Sequence, residues 1–351
     1  MAFAHDVRAQ GLIDLSIGYP ADDTPTNVKN AGSTAIHRGH TRYTPTQGIL
    51  PLRDAIKRKL NRENGIEVSD DQVTVTPGVT SAILFAYLAL LNPGDEVLIP
   101  DPYFPPYKDL ATIIGAQPVL VNTFPDFELT AERIAEYITP RTRAVVVNTP
   151  NNPTGTVYDE KELRKIARLA KEKNLVVISD EIYEHFVYTK EHFSIGKIYP
   201  NTLTLNGVSK AYAMTGWRIG YIAGPAEIIA AINELQQYVI FSSSSIGQHA
   251  AAEAMQQPPK RLRSKYEKKA ALVRQRLGRT YSVRGCEGAY YAFMPVPGGT
   301  DDLEFLDRAI EAGVLVLPGR AFSSRKDYFR ISYATKDKLL SKALDSLAQL
   351  R

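Results

Sequence analysis

The chain has a single cysteine, Cys286, so no disulfide can form within it and its fold does not depend on an oxidising compartment. Long apolar runs are also missing. The most extended, Ala82 to Leu91, is about half of what a bilayer requires, and it reads as a buried helix. The opening residues, MAFAHDVRAQG, contain no apolar signal-peptide core. Together these absences predict a cytoplasmic protein that does not enter a membrane. Charge of one sign is scarce too. A formal net charge of +4 on 351 residues is too small for a nucleic-acid surface. The one basic cluster, KRLRSKYEKK (260–269), has the pattern of a solvated helix face. No G-x-G-x-x-G follows the first strand, which disfavours a nicotinamide enzyme. The histidines are scattered, and no metal site is expected. There is no internal repeat and no Gly/Ser linker.

What the sequence does contain is alternation. Gln72–Thr76 (QVTVT), Glu96–Pro100 (EVLIP), Ala116–Asn122, Arg143–Asn148 (RAVVVN), Leu175–Ser179 (LVVIS) and Thr202–Leu205 read as strands. Helices are expected from Thr80, around Tyr107–Ile114 and over Asp159–Lys173. Near-continuous apolar strands separated by helices predict an α/β fold: a large domain with a mostly parallel sheet sandwiched by helices. The C-terminal part differs. A long charged helix, Pro258–Arg279, precedes three short strand candidates, GAYYAFMPV (288–296), GVLVLPG (313–319) and YFRISYA (328–334), with a helix at Asp302–Ala312. These predict a smaller α+β domain. The length also favours two domains. The expected division is 1–35, a segment packing with the small domain; 36–257, the large domain; and 258–351, the small domain with its connecting helix.

In such sheets ligands bind at the carboxyl ends of the strands. QVTVT is followed by Pro77, Gly78, Val79 and Thr80; EVLIP by Asp101, Pro102 and Tyr103; RAVVVN by a loop containing Asn152; LVVIS by Asp180 and Tyr183; and Thr202–Leu205 by NGVSKAYAMTGWRIGY with Lys210 and Arg218. Each has an ordinary reading on its own: a surface lysine, a helix cap, a turn, a packed tyrosine. Their succession at consecutive strand ends argues for one site. Pyridoxal 5′-phosphate matches the set. Its aldehyde needs an amine, Lys210, for a Schiff base. Its ring nitrogen needs a buried carboxylate, Asp180. Asn152 and Tyr183 suit its phenolic oxygen. A helix N-terminus at Gly78, Val79 and Thr80, with Arg218, suits its phosphate. Tyr103 suits its ring face.

PGVTSAI (77–83), NPGDEVLIPDPYFPPY (92–107), NTPNNPTG (148–155), SDEIYE (179–184), SKAYAMTGWRIGY (209–221) and FRISYA (329–334) resemble the motifs of class I/II pyridoxal-phosphate-dependent aminotransferases of fold type I, the aspartate aminotransferase superfamily. The resemblance covers nearly the whole chain. It implies transfer of an amino group from an L-amino acid (aromatic, neutral or aspartate-like) to a 2-oxo acid, normally 2-oxoglutarate, by a ping-pong mechanism. A β-lyase or related reaction on the same fold and cofactor is the alternative. It further implies that Ser209 lies near the phosphate, that Arg330 grips the substrate carboxylate with Gly18 closing over it, and that Tyr43 reaches the cofactor of a neighbouring subunit in a homodimer. The chain departs from the pattern in three places. Its N-terminal arm is short. Gly207 stands where many relatives have a phosphate-binding serine. Thr80 stands where some aspartate-specific members have a lysine. GAYYAF (288–293), with Tyr290 and Tyr291, is expected near the domain interface, where it would suit an aromatic or neutral donor; on the ordinary reading the two tyrosines alternate on a strand, one in the core and one as a lid.

Overall fold

The computed structural model describes residues 11–259 and 262–350. It opens with a short strand, β1 (Ile13–Asp14), and two helices, α1 (Thr26–His37) and α2 (Leu50–Lys59). The central run follows: β2 (Val73–Thr76), α3 (Val79–Leu90), β3 (Glu96–Asp101), α4 (Pro105–Ile113), β4 (Gln117–Asn122), α5 (Ala131–Ala135), β5 (Thr142–Asn148), α6 (Glu160–Glu172), β6 (Val176–Asp180), β7 (Thr202–Gly207) and β8 (Gly220–Ala223). These strands form one seven-stranded sheet in the order β2-β8-β7-β6-β5-β3-β4.

Side-chain alternation explains why this sheet is covered on both faces. Ala144 and Val146 of β5 join Ile83, Phe85 and Ala86 of α3 in one apolar cluster. Val145 and Val147 join Leu163, Ile166 and Ala170 of α6 in another. A strand buried on both faces reads as a continuous apolar run, which is why β5 and β6 are so evident in the sequence.

The strand β8 was not anticipated. It is antiparallel to both β2 and β7, while the other pairs are parallel. Two reversals leave β2 pointing the same way as β7. The carboxyl ends of β2, β3, β5, β6 and β7 therefore share one edge with the amino end of β8, and Arg218, just before β8, is delivered to the same rim as Lys210, just after β7.

The remaining elements are α7 (Ala226–Val239), α8 (Ser245–Ala254), α9 (Leu262–Leu277), β9 (Tyr291–Pro295), α10 (Asp302–Glu311), β10 (Val314–Leu315), β11 (Leu317–Pro318), β12 (Tyr328–Ser332) and α11 (Asp337–Ala348). The single strand expected over 313–319 is two. β10 pairs with β1, and β11 joins the antiparallel sheet β11-β12-β9, with buried Val316 linking them. The charged helix begins its described part at Leu262; Lys260 and Arg261 lie outside the described residues. It is not a uniformly solvated face. Tyr266, Lys269, Ala270, Val273 and Leu277 are buried, and Lys269 donates to the Thr335 carbonyl and Asp337.

Within residues 1–35, β1 joins the C-terminal part through β10, but α1 packs elsewhere. A Cβ at Gly32 would come within 2.6 Å of the Trp217 ring, and Asn27 donates to Glu253 of α8 at 2.8 Å. No helix among the described residues is long and apolar enough to cross a membrane.

Candidate active site

Lys210 lies one short turn beyond β7. Its ammonium donates to the Gly18 carbonyl at 2.6 Å and sits 5.8 Å from the Tyr183 ring centre. Burial lowers its pKa to about 8, helped by the positive charges of Arg330 and Arg218 and opposed by Asp180. An amine titrating there has a substantial neutral fraction at physiological pH, as a nucleophile requires.

Asp180 ends β6 and is buried. One carboxylate oxygen accepts from the Ile182 N–H at 3.2 Å, the other from the Tyr107 hydroxyl at 2.6 Å. Burial raises its pKa to about 6 despite both donors. Tyr183 follows on the same turn, its hydroxyl 2.9 Å from that of Tyr291. Asn152 is held in the loop after β5, where its N–H donates to the Asn148 side chain at 2.8 Å.

Arg330 reaches this group from β12. One terminal nitrogen donates to Asn152 Oδ1 at 3.1 Å, the other to the Ser16 carbonyl at 2.6 Å. Its guanidinium lies over the rings of Tyr291 and Phe322, 4.5 and 4.4 Å from their centres. Its buried Nε has no hydrogen-bond partner among the described residues. A fixed planar cation with a spare buried donor is suited to a carboxylate. Gly18 closes the group on the far side. A Cβ there would meet the Tyr291 hydroxyl at 2.3 Å.

On the β2 side, Gly78 adopts φ +82°, which only glycine takes without strain. A Cβ at that position would fall 2.5 Å from an Arg218 guanidinium nitrogen. Val79 and Thr80 open α3, with Thr80 exposed. Buried Tyr103 receives the chain from β3, and its N–H donates to the Phe322 carbonyl at 2.8 Å, joining the sheet rim to the loop that covers Arg330. Ser209 is buried beside Lys210, its carbonyl accepting from the Met214 N–H at 3.1 Å. Tyr43 stands apart: it is 83% exposed and contacts the Phe241 ring at 4.7 Å.

Three tyrosines of this site take positions that differ from the sequence reading. Tyr107 is expected from the sequence only as part of a helix; it lies on the first turn of α4, and no local pattern marks it as a partner of Asp180. Tyr290 and Tyr291 are both buried rather than one being a lid. Ala289 takes φ +52° and β9 begins only at Tyr291, so strand alternation does not separate the pair. Tyr290 donates to the Gly18 carbonyl at 3.1 Å.

With this geometry in place, comparison with known proteins decides the family. The model of aminotransferase class I and II matches residues 10–347. The chain belongs to this family. As an aminotransferase it is 41% identical to the probable aspartate/prephenate aminotransferase of Thermus aquaticus, across 99% of this chain and 94% of that one. It is 38% identical to aromatic-amino-acid aminotransferase 2 of Thermococcus litoralis, across 97% of this chain and 92% of that one. The solved structure of Thermus thermophilus aspartate aminotransferase with maleate superimposes with a TM-score of 0.96 at 40% identity, covering 100% of this chain and 95% of that one. The absence of a serine at Gly207 in this aminotransferase has a steric reason. A Cβ there would lie 2.8 Å from the Ile219 carbonyl and 2.9 Å from Gly220 Cα, because β7 and β8 approach closely at that register.

Proposed function

We propose that this aminotransferase binds pyridoxal 5′-phosphate on the strand-end rim and moves the amino group of an L-amino acid to a 2-oxo acid, 2-oxoglutarate being the acceptor, in a ping-pong cycle. The observation that carries this reading is the gathering of one amine, Lys210, bound to the Gly18 carbonyl and set near the Tyr183 ring, with the buried carboxylate of Asp180 and the buried guanidinium of Arg330, which binds Asn152 and the Ser16 carbonyl. The residues fit the cofactor. Asp180 is buried with its pKa raised, so a cationic ring nitrogen would relieve it. Gly78 lets the Arg218 guanidinium lie against the start of α3, where a Cβ would come within 2.5 Å of it.

When bound, the cofactor supplies an electron sink that lets an amino acid lose its α-proton. The chain's own residues do the rest. Lys210 binds the aldehyde and then carries the proton at the substrate α-carbon. Asp180 holds a proton on the ring nitrogen. Asn152 has its oxygen occupied by Arg330, which leaves its NH₂ to donate to the phenolic oxygen, and Tyr183 donates beside it. Tyr103 stacks on the ring. Gly78, Val79, Thr80, Ser209 and Arg218 hold the phosphate. Arg330 orients the α-carboxylate, with Gly18 closing over it.

The donor is an aromatic, neutral or aspartate-like amino acid. The names of the relatives span the dicarboxylic and aromatic classes, and the tyrosines around Arg330 suit a ring. We infer also a homodimer in which Tyr43 reaches the partner's cofactor; its exposure and its ring contact with Phe241 support this. The division at 36–257 and 258–351 belongs to the same reading, with β1 on β10 supporting attachment of the N-terminal segment to the smaller part.

The test is an absorbance spectrum of the protein loaded with pyridoxal 5′-phosphate and titrated with single L-amino acids. A visible band bleached by particular amino acids and restored by 2-oxoglutarate is expected. A band that no amino acid bleaches would sink the reading, and pyruvate and ammonia released without an acceptor would point to elimination. Arg330→Ala should weaken all α-amino acids alike, by about 10–100-fold in kcat/KM.

A further inference from the structure

Behind Asp180 lies a buried polar cluster that the proposed chemistry does not use. The turn after β6 sorts its residues by spacing. Asp180 and Tyr183 face the site, and Glu181 and Glu184 face away into the protein. Glu181 is fully buried, and its carboxylate is saturated. One oxygen accepts from Ser179 at 2.8 Å and Ser194 at 2.7 Å; the other accepts from Asn64 at 3.0 Å and lies 2.9 Å from His192 Nε2. Its N–H donates to the Leu205 carbonyl of β7, two residues before Gly207.

Glu184 is the charge-paired member. Lys59 of α2 donates to it, as do Asn206 at 2.6 Å and Asn64 at 2.8 Å. Burial works to raise its pKa, but Lys59, His185 and His192 outweigh this and hold it at about 2. The two carboxylates and His192 lie within ligating distance of one another, yet the cation of this cluster is Lys59 and their lone pairs are taken. His185 is turned to a second carboxylate, Glu63, which also pairs with Arg62. From β8, buried Tyr221 faces the same carboxylates. Glu181 and Glu184 share this cluster with the Lys59 ammonium and with the imidazoles of His192 and His185.

We propose that Glu181 is a positioning residue for the nitrogen end of the cofactor ring: its buried carboxylate clamps the turn carrying Asp180 and Tyr183 and keeps a fixed negative charge behind Asp180. A buried neighbour of that sign favours the protonated ring, so Asp180 and Glu181 hold the ring proton together. The clamp acts through Ser179 and Ser194, which join the turn to β6 and to the segment before β7. This inference rests on the cofactor reading above.

The test compares the parent with Glu181→Gln, both loaded with pyridoxal 5′-phosphate. Glutamine keeps the size and most hydrogen bonds but removes the charge. Two readouts respond to charge and not to mere loosening. The pH midpoint of the visible band of the lysine-bound cofactor should fall by roughly half to one pH unit in the variant. The preference for pyridoxal 5′-phosphate over an analogue with carbon in place of the ring nitrogen, read as a ratio of dissociation constants, should fall about 3–10-fold. A parental midpoint together with a parental preference overturns the proposal. If the glutamine variant does not accumulate, Glu181→Asp retains the charge and shortens the clamp. It should keep the parental midpoint and bind the cofactor more weakly, and a lowered midpoint or undiminished binding overturns the proposal. If the parent itself gives no band with the cofactor, the cofactor reading falls and this inference falls with it.

Discussion

Asp180 carries a desolvation cost for as long as no cation reaches it. Its pKa is raised from 3.8 to about 6, so the folded chain binds this proton more tightly than the unfolded chain. Stability from this group is therefore present at low pH and is lost as pH rises through about 4 to 6. Asp180→Asn removes the cost. The cofactor-free variant is expected to be more stable than the parent at pH 8, by about 1–3 kcal/mol, and no more stable near pH 4. Thermal melts at the two pH values check this, and equal melting at pH 8 would contradict it. Lys210 shows the opposite sign. Its pKa is depressed to about 8, first by burial and then by Arg330 and Arg218. Capture of pyridoxal 5′-phosphate is expected to accelerate as pH rises and to level off above about pH 8. Arg330→Met removes one of those cations and should move the midpoint upward, as stopped-flow absorbance would show. A midpoint left in place would mean that the guanidinium does not act on the amine.

At the scale of elements, the site depends on β7 and β8 being pressed together where Gly207 faces Gly220. Gly207→Ser brings a Cβ to within 2.8 Å of the Ile219 carbonyl. The strands must separate, at a cost of about 1–3 kcal/mol, and Lys210 and Arg218 move with them. Lower denaturant resistance with weaker cofactor retention is the expected result; an unchanged unfolding midpoint would show that the register has slack. The same pair of strands marks the limit of what could be read from sequence. Runs such as RAVVVN and LVVIS are evident because both faces of β5 and β6 are buried, and the groups that follow them come together at the rim. β8 is four residues long and begins with glycine, and its place depends on two antiparallel pairings that no local pattern carries. GVLVLPG looked like one strand because its composition is uniform, although its halves pair with β1 and β12. Tyr107 and Glu181 were hidden for a related reason. Their roles lie in which side of a turn they face, and that is settled by partners about 70 to more than 100 residues away in the chain.

At the scale of the whole molecule, one surface feature bears on the proposed homodimer. Tyr43 is 83% exposed and Phe241 42% exposed, yet their rings are in contact. Tyr238 and Val239, at the end of α7, are 81% and 58% exposed. Single exposed apolar residues are ordinary, but an aromatic pair in contact near two more exposed apolar residues is the kind of patch that the proposed dimer would cover. Phe241 is held in place at φ +66°, and its N–H closes the end of α7 by donating to the Gln236 carbonyl at 2.9 Å. If a second copy covers this face, a charge there should separate the copies while leaving each fold intact, because the Phe241 ring lies at the protomer surface and joins none of its core clusters. Phe241→Arg is expected to shift sedimentation from dimer toward monomer at micromolar concentration. Because Tyr43 would then no longer reach the neighbouring cofactor, pyridoxal 5′-phosphate should bind less tightly in the same samples. Tyr43→Phe, which keeps the ring and removes the hydroxyl, should remain a dimer and lose only the cofactor affinity. A parent that sediments as a monomer while turning over normally would remove Tyr43 from the site altogether.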